Sequence, residues 1–493
     1  MMRAIHSSAI ISPAQMTAID RAAAGSGLDS FALMNAAGSA VGEIALRRFP
    51  QALRFVVLCG PGNNGGDGYI AARRMRASGA CVALYALGDA PAAGGDAARA
   101  RSACAMAPAA FDTFVPRSGD VIVDALFGAG FSRPVCEDVA VVMRKVTAMD
   151  LPVLSVDLPS GVDGRTGAVR GESFTAARTV TFVARKPGHL LLPGRMLCGA
   201  LDVIDIGIPR RLVDAHAGNL RKNTPAVWGQ EAMVLNAAVH KYKRGHLAVF
   251  SGGPLSTGAA RLAASAGLAS GAGLVTLASP ELALQANAAH LTAVMLKAID
   301  TAEALETWLD DRRISAFVLG PAFGDVEKAR GFVTLLRDRR LVLDADGITA
   351  FRDDPAVLFD QFATGPTRLV MTPHDGEFAR LFADLAQDPA LSKIDRAIAA
   401  ARRSHAVIVF KGADTVIADP DGRALVNANA PPWLATAGSG DVLAGMIGAH
   451  LAQGMPAFEA AAAGVWRHGD AGTLAGEGMT AETLVQAIRP LHA

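Results

Sequence analysis

Residues 53–78 read LRFVVLCGPGNNGGDGYIAARRMRAS. The run from Leu53 to Gly60 is short, apolar and rich in β-branched residues, as a strand covered on both faces of a parallel sheet must be. Glycine-rich chain follows, and a helix is predicted from about Tyr69 to Ser78. A strand that reaches a helix through bare backbone makes a place for anions. The first N–H groups of the helix point outward, and its dipole adds partial positive charge. Gly65, Gly66 and Gly68 let backbone approach a phosphate. Asn63 and Asn64 add amide carbonyls suited to an alkali cation or a ribose, and Asp67 adds an acid. The spacing is neither G-x-G-x-x-G nor a Walker loop. The plain alternative is a tight turn between strand and helix; two Asn and one Asp weigh against it.

Outward from this stretch, strands and helices alternate. ACVALYAL, DVIVDALFG, PVLSVDLPSG, RTVTFVA and ALDVIDIGI read as further strands, and MTAIDRAA and SFALMNAAGSAVGEIALRRF as two preceding helices. The pattern predicts an α/β fold whose first part is a doubly wound parallel sheet, with ligands at the carboxyl ends of its strands. DIGIPRRLVDAHAGNLRKNTPAVWG is polar and reads as a linker, dividing the chain into domains 1–222 and 223–493. A second alternating series then starts at GHLAVFSGG and ends in the helix SGDVLAGMIGAHLAQG.

The 493 residues suggest roughly two to four domains. Hydrophobic residues at 51% against 19% charged supply large cores and exclude a disordered chain. A net charge of +1 without a basic tract excludes nucleic acid as the main ligand. The five cysteines form no C-x-x-C pair, which fits a reducing compartment. The opening MMRAIHSSAIISPAQM has no sustained apolar core of a signal peptide, and no apolar run is long enough to span a membrane. A cytoplasmic protein is expected.

Two more strand ends carry short oxygen ligands: Asp124 in VDALFGAGFSRP, and Asp157 with Ser160 in VDLPSGVDG. A lone strand-end Asp is often a helix cap; three such ends on one sheet edge favour a site. GPGNNGGDGYIAAR, DALFGAG, SVDLPSGVDG and TFVARKPG…DIGIP closely resemble the NAD(P)H-hydrate epimerase family over residues 10 to 220. The resemblance implies a Rossmann-like domain. It implies that Asn63, Asn64, Gly65, Gly66 and Asp67, with Gly128, Ala129, Gly130, Phe131, Ser132, Arg133 and Pro134, hold the hydrated dinucleotide. Asn64, Asp124 and Ser160 would ligate K⁺. Asp157 would contact the reacting centre and shuttle its proton. Lys186, in ARKPG, is read as a lysine that holds the fold.

In the second half, LATAGSGDVLAGMI places Gly438, Ser439 and Gly440 before Asp441 at a helix start. Amides there can hold a transferring phosphoryl group, and Asp441 stands where a base could take a hydroxyl proton. An ordinary helix start with an acidic first turn is the alternative. KGADTVI brings Lys411 to a strand–turn–strand, TPHDGEF brings His374 and Glu377, and LDADGIT brings Asp344 and Asp346. With HKYKRGHLAVFSGG and SGAGLVT, these strings resemble the ribokinase-like superfamily, and within it the ADP-dependent NAD(P)H-hydrate dehydratases. The resemblance implies that Lys411, Gly412, Ala413, Asp414, Thr415 and Gly440 bind the adenine nucleotide. Gly258, Ala322, His374 and Asp441 would contact the hydrate, and Mg²⁺ would accompany ADP or ATP.

Two departures stand out. Ala322 in GPAFG replaces the usual Gly, and its methyl is expected to narrow the pocket. Pro431, Pro432 and Trp433 replace a segment that normally borders the nucleotide. The reading implied is a two-domain repair enzyme that acts on NADHX and NADPHX, with Asp157 and Asp441 as its catalytic residues. It is expected as a homo-oligomer. The alternatives are a small-molecule kinase of the hydroxymethylpyrimidine or hydroxyethylthiazole type fused to a nucleotide-binding module, and a first domain that binds without catalysis.

Overall fold

A computed structural model describes residues 8–233 and 240–489; the first seven residues of the chain, part of the segment read for a signal peptide, lie outside them. The chain forms two compact units, Met1–Leu220 and Arg221–Ala493.

Unit 1 has strands β1 (Arg54–Cys59), β2 (Val82–Ala86), β3 (Ala109–Ala110), β4 (Asp120–Ala125), β5 (Val153–Val156), β6 (Arg178–Phe182) and β7 (Ala200–Ile204). They form one parallel sheet in the order β3-β2-β1-β4-β5-β6-β7. Strand order therefore reverses between β1 and β4, and the loops after these strands run off in opposite directions. That reversal opens a crevice at the carboxyl ends. The strands β1, β4 and β5 are buried along nearly their whole length, as sheet covered by helices on both faces must be.

Three helices build the crevice wall: α1 (Pro13–Gly25), α2 (Ser30–Arg48) and α3 (Asn63–Ala77). Helix α1 starts in a capping box, with Ser12 accepting from the Gln15 amide and Gln15 accepting from the Ser12 amide. Helix α3 starts at Asn63, not near Tyr69, so the glycine-rich stretch is its first two turns rather than a loop. The glycines are spent on packing. A Cβ on Gly65 would lie 1.9 Å from the Gly60 carbonyl oxygen, one on Gly66 2.6 Å from Met34 Sδ, and one on Gly68 2.7 Å from the Ala125 Cβ. From the other side Gly38 and Gly42 bring α2 against α3, where side chains would strike the carbonyls of Asp67 and Ala71. Glycine lowers helix propensity, yet tertiary packing overrides it.

Unit 2 carries β9 (His246–Phe250), β10 (Leu274–Ser279), β11 (Met295–Ala298), β12 (Ile314–Leu319), β13 (Arg340–Leu343), β14 (Leu369–Met371), β15 (Val407–Phe410), β16 (Val416–Ala418) and β17 (Ala424–Val426). With β8 (Leu220–Lys222), which begins at the unit boundary, the order is β11-β10-β9-β12-β13-β14-β15-β16-β17-β8. Pairing is parallel from β11 to β15 and antiparallel through β15, β16 and β17. Strand order reverses here between β9 and β12. The segment read as a linker is ordered: it holds a helix at Arg210–His216, β8 and a helical turn at Pro225–Trp228. Trp228 is buried and donates to Asn223, whose own amide reaches Asn427 and the Ala462 carbonyl. The boundary between the units falls within this segment, and its polar composition is compatible with order because Asn223 satisfies its hydrogen bonds inside the fold. The chain also continues past Ala452 into the helices Ala457–Ala475 and Ala481–Ala487.

Replacing Gly65 with Ala should destabilise unit 1 by about 1–3 kcal/mol, because the methyl meets backbone that cannot yield without moving α3. A lower urea midpoint at unchanged slope for this unit is the expected result.

Candidate active sites at the two sheet reversals

A cavity of about 830 Å³ lies at the reversal in unit 1. It is lined by Asp20 of α1, by Asn63, Asn64 and Asp67 of α3, by the Phe127–Phe131 loop and Arg133, and by Asp157 and Lys186 at the next two strand ends. Of the residues expected to hold a dinucleotide, Gly65, Gly66, Ser132 and Pro134 do not line it. The first two face protein, and the last two are exposed. Phe127 and Phe131 stack with centroids 4.2 Å apart, and the Arg133 guanidinium lies 6.0 Å from the Phe131 ring. A flat aromatic face with a cation beside it suits a heterocycle that carries phosphate.

Asp157 is held more firmly than any other residue on this wall. It sits at φ +64°, with the Leu158 amide bonded back to the Val156 carbonyl at 2.8 Å. Such a γ-turn is strained for a residue with a side chain. The surroundings impose it. The Asp157 amide donates to Val180 at 2.7 Å, and His189 Nε2 donates to the Asp157 carbonyl at 2.6 Å. His189 Nδ1 accepts from the Lys186 amide at 2.9 Å, which assigns the tautomer. Burial and the Lys186 charge push His189 down to about 4, so it stays neutral.

The carboxylate has no free oxygen. Oδ1 receives Thr181 Oγ1 at 2.9 Å and Lys186 Nζ at 2.7 Å, and Oδ2 receives the Ala129 amide at 2.8 Å. Burial raises its proton affinity, but Lys186 and these hydrogen bonds outweigh burial and hold Asp157 well below the usual carboxylate range. Lys186 is 3% exposed, lines the cavity and also donates to Phe182 O at 3.2 Å. Its role is therefore electrostatic as well as structural. The sequence signal for it was weak, since Lys186 lies far along the chain from Asp157 and only the adjacency of β5 and β6 joins them.

Asp124 and Ser160 meet beneath the cavity floor. Ser160 Oγ donates to Asp124 Oδ1 at 2.6 Å, and the Ser160 amide and Ser155 Oγ donate to Oδ2 at 2.8 and 3.0 Å. Asp124 is fully buried and pairs with no cationic side chain among the described residues. Burial pushes it up to about 6 against these donors. A buried carboxylate without a basic partner, beside hydroxyl and carbonyl oxygens, has the chemistry of a hard-cation site. Asn64 Oδ1 lies beside Gly128, where a Cβ would stand 3.3 Å from it and 3.0 Å from Asp157 Oδ2, and its Nδ2 is buried without a partner.

In unit 2 the expected residues gather at the ends of β9 and β12–β15. Gly438 takes φ +83° and starts the helix Ser439–Ala452, which puts Asp441 in its first turn. His468 holds this start: its Nε2 lies 2.9 Å from the Ser439 carbonyl and 3.1 Å from Ser439 Oγ. Lys411 Nζ pairs with Asp344 Oδ1 at 2.8 Å and approaches Glu377 at 3.8 Å. A Cβ on Gly440 would lie 3.6 Å from that ammonium. Lys411 thus sits beside Gly440 at the helix start, already balanced by Asp344. Asp441 is pushed up to about 6 by burial and by the Asp344 charge, with Lys411 opposing. Asp414 pairs with Lys393 at 2.6 Å, and Thr415 bonds within the turn to Gly412.

His374 caps the helix Asp375–Leu381 through Nδ1 and lies 3.4 Å from Glu377, with its side chain more than half exposed. Asp346 accepts the Gly324 amide, which ties down the GPAFG loop. A Cβ on Gly258 would meet nothing within 4 Å, so the backbone there is open to a ligand. Trp433 donates to the Gly472 carbonyl at 2.7 Å, which anchors the Pro431–Trp433 departure on the helix Ala457–Ala475.

Two outcomes follow from this geometry. Lys186→Met leaves Asp157 charged, half-buried and without its cation, and should cost about 3 kcal/mol in unit 1 at pH 7. Folded Asp157 titrates below its unfolded value of about 3.9, so the contribution is complete above that pH and fades as acid protonates it; chemical denaturation of both proteins at pH 7 and pH 3 checks this. Ala322 takes φ +49°, so Ala322→Gly should raise the melting temperature by relieving about 1 kcal/mol of backbone strain.

Residues 247–490 match the NAD(P)H-hydrate dehydratase family, and residues 30–188 match the family described as YjeF-related protein N-terminus. A bifunctional NAD(P)H-hydrate repair enzyme of Moorella thermoacetica is 35% identical over 94% of this chain and 92% of its own. Its counterpart in Escherichia coli is 32% identical over 90% of this chain and 85% of its own. A solved Bacillus subtilis ADP/ATP-dependent NAD(P)H-hydrate dehydratase, co-crystallised with ATP and Mg²⁺, aligns at 24% identity over 55% of this chain and 97% of its own, with a TM-score of 0.47. With relatives of more than 30% identity aligned across both units, the chain belongs to the bifunctional NAD(P)H-hydrate repair enzymes.

Proposed function

We propose that this chain repairs hydrated NADH and NADPH, with unit 1 interconverting the R and S hydrates and unit 2 dehydrating the S form at the expense of ADP or ATP. The observation that carries this reading is similarity to bifunctional repair enzymes along nearly the whole chain, across both candidate sites.

The substrate carries a hydroxyl on C6 of the nicotinamide ring, next to the ring nitrogen. In unit 2, Asp441 takes the hydroxyl proton as the oxygen attacks the terminal phosphoryl group. The amides of Gly438–Gly440 and the Lys411 ammonium offset charge on that group. The C6–O bond then breaks with phosphate as leaving group, the nitrogen lone pair assists, and loss of a C5 proton restores the dihydronicotinamide. No cluster of three His, Cys, Asp or Glu among the described residues is placed to hold a metal, so Mg²⁺ would enter on the nucleotide phosphates and neutralise their charge. In unit 1, Asn64, Asp124 and Ser160 would hold K⁺, which would neutralise the buried Asp124. Homo-oligomerisation and a cytoplasmic setting belong to the same proposal; no described helix is long and apolar enough to cross a membrane.

Mixed-epimer NADHX incubated with Mg²⁺, K⁺ and either nucleotide should return fully to NADH by absorbance. Fast recovery of the S fraction alone would reject the epimerase half, and no recovery with either nucleotide would favour a small-molecule kinase. Asp441 must be ionised to act as base, so dehydration should rise with pH through about 6 and level off above it. Asp441→Asn should lose that rise and about 10²–10⁴-fold in rate, with epimerisation unchanged.

A further inference from the structure

Asp157 cannot serve well as the proton carrier of unit 1. Both its oxygens are occupied by donors, and a carboxylate held so strongly ionised takes up a proton poorly. The cavity holds a second carboxyl in the opposite state. Asp67 lies in the second turn of α3 and lines the cavity, yet it is 9% exposed. Its side chain forms no hydrogen bond or ion pair among the described residues, although an undercompensated acid in such a place is costly. Burial, then the Asp157 charge, pushes its proton affinity well above the carboxylate range, against the pull of Lys186 and with a smaller push from Asp20. Two cavity-lining carboxyls with proton affinities driven apart are the arrangement of an acid beside a fixed charge.

We propose that Asp67 is the acid–base residue of unit 1 and that Asp157 acts as a fixed negative charge. The inference rests on the epimerase reading of this unit. The carboxyl proton of Asp67 passes to the C6 hydroxyl as the C6–O bond breaks, and the bonding pair leaves with oxygen as water. The ring-nitrogen lone pair forms a C=N bond, which leaves a planar cation whose charge the Asp157 carboxylate offsets. Water adds to C6 from the other face, and its proton returns to the Asp67 carboxylate directly or through a second water. No atom or electron is gained, and the Asp67 carboxyl is regenerated.

The test is Asp67→Asn in the full chain, assayed on purified R-NADHX with the epimers separated by chromatography. The expected result is a loss of about 10²-fold or more in kcat. The thermal shift produced by NADP⁺ and the dehydration of S-NADHX should both be retained. Incorporation of ¹⁸O from water at C6 should fall in parallel with epimerisation, and Asp67→Glu, which keeps a carboxyl, should recover part of the rate. Wild-type epimerisation by Asp67→Asn overturns the proposal. So does a rate loss accompanied by loss of the NADP⁺ shift, which would make Asp67 a binding group only. A wild-type enzyme that does not epimerise at all refutes the epimerase reading itself, an outcome distinct from either.

Discussion

The Gly60 carbonyl occupies the space a side chain on Gly65 would need, and the cavity of unit 1 depends on that contact. With no Cβ between them, the first turns of α3 lie directly against the end of β1. Asn64 and Asp67 are thereby carried into the crevice between β1 and β4. Asp67 is left only 9% exposed, and Gly38 brings α2 against its backbone carbonyl. One steric constraint thus produces both the shape of the cavity and the unusual proton affinity of an acid on its wall.

The two units solve a related problem with different parts. Each reverses its strand order once and collects polar residues from several strand ends on one edge of its sheet. Unit 1 keeps its central carboxylate ionised, with Lys186, Thr181 and the Ala129 amide around it. Unit 2 pairs its half-buried Lys411 with Asp344 and leaves Asp441 with a raised proton affinity. The first arrangement favours a lasting negative charge opposite a developing cation. The second favours proton transfer near neutral pH.

Much of this was legible in the chain. Strand-end motifs such as DALFGAG and SVDLPSG combine a buried β run with short polar groups, and both features survive in local sequence. The start of α3 was not legible, because three glycines in its first six residues argue against a helix until their packing partners are known. The internal order of the polar linker was not legible for a similar reason: Asn223 finds its partners on distant segments. Lys186 looked structural because nothing near it in sequence is acidic.

By itself, then, the sequence determined two α/β units, their strand-end motifs and the residue types available for chemistry, because periodicity and turn composition are local properties. Tertiary structure alone decided which of those residues act together. The pairing of β5 with β6 sets Lys186 and Thr181 on Asp157, and the packing of α2 on α3 buries Asp67. Proton affinities follow from these long-range contacts, since burial and neighbouring charge are properties of the folded surroundings and not of the residue.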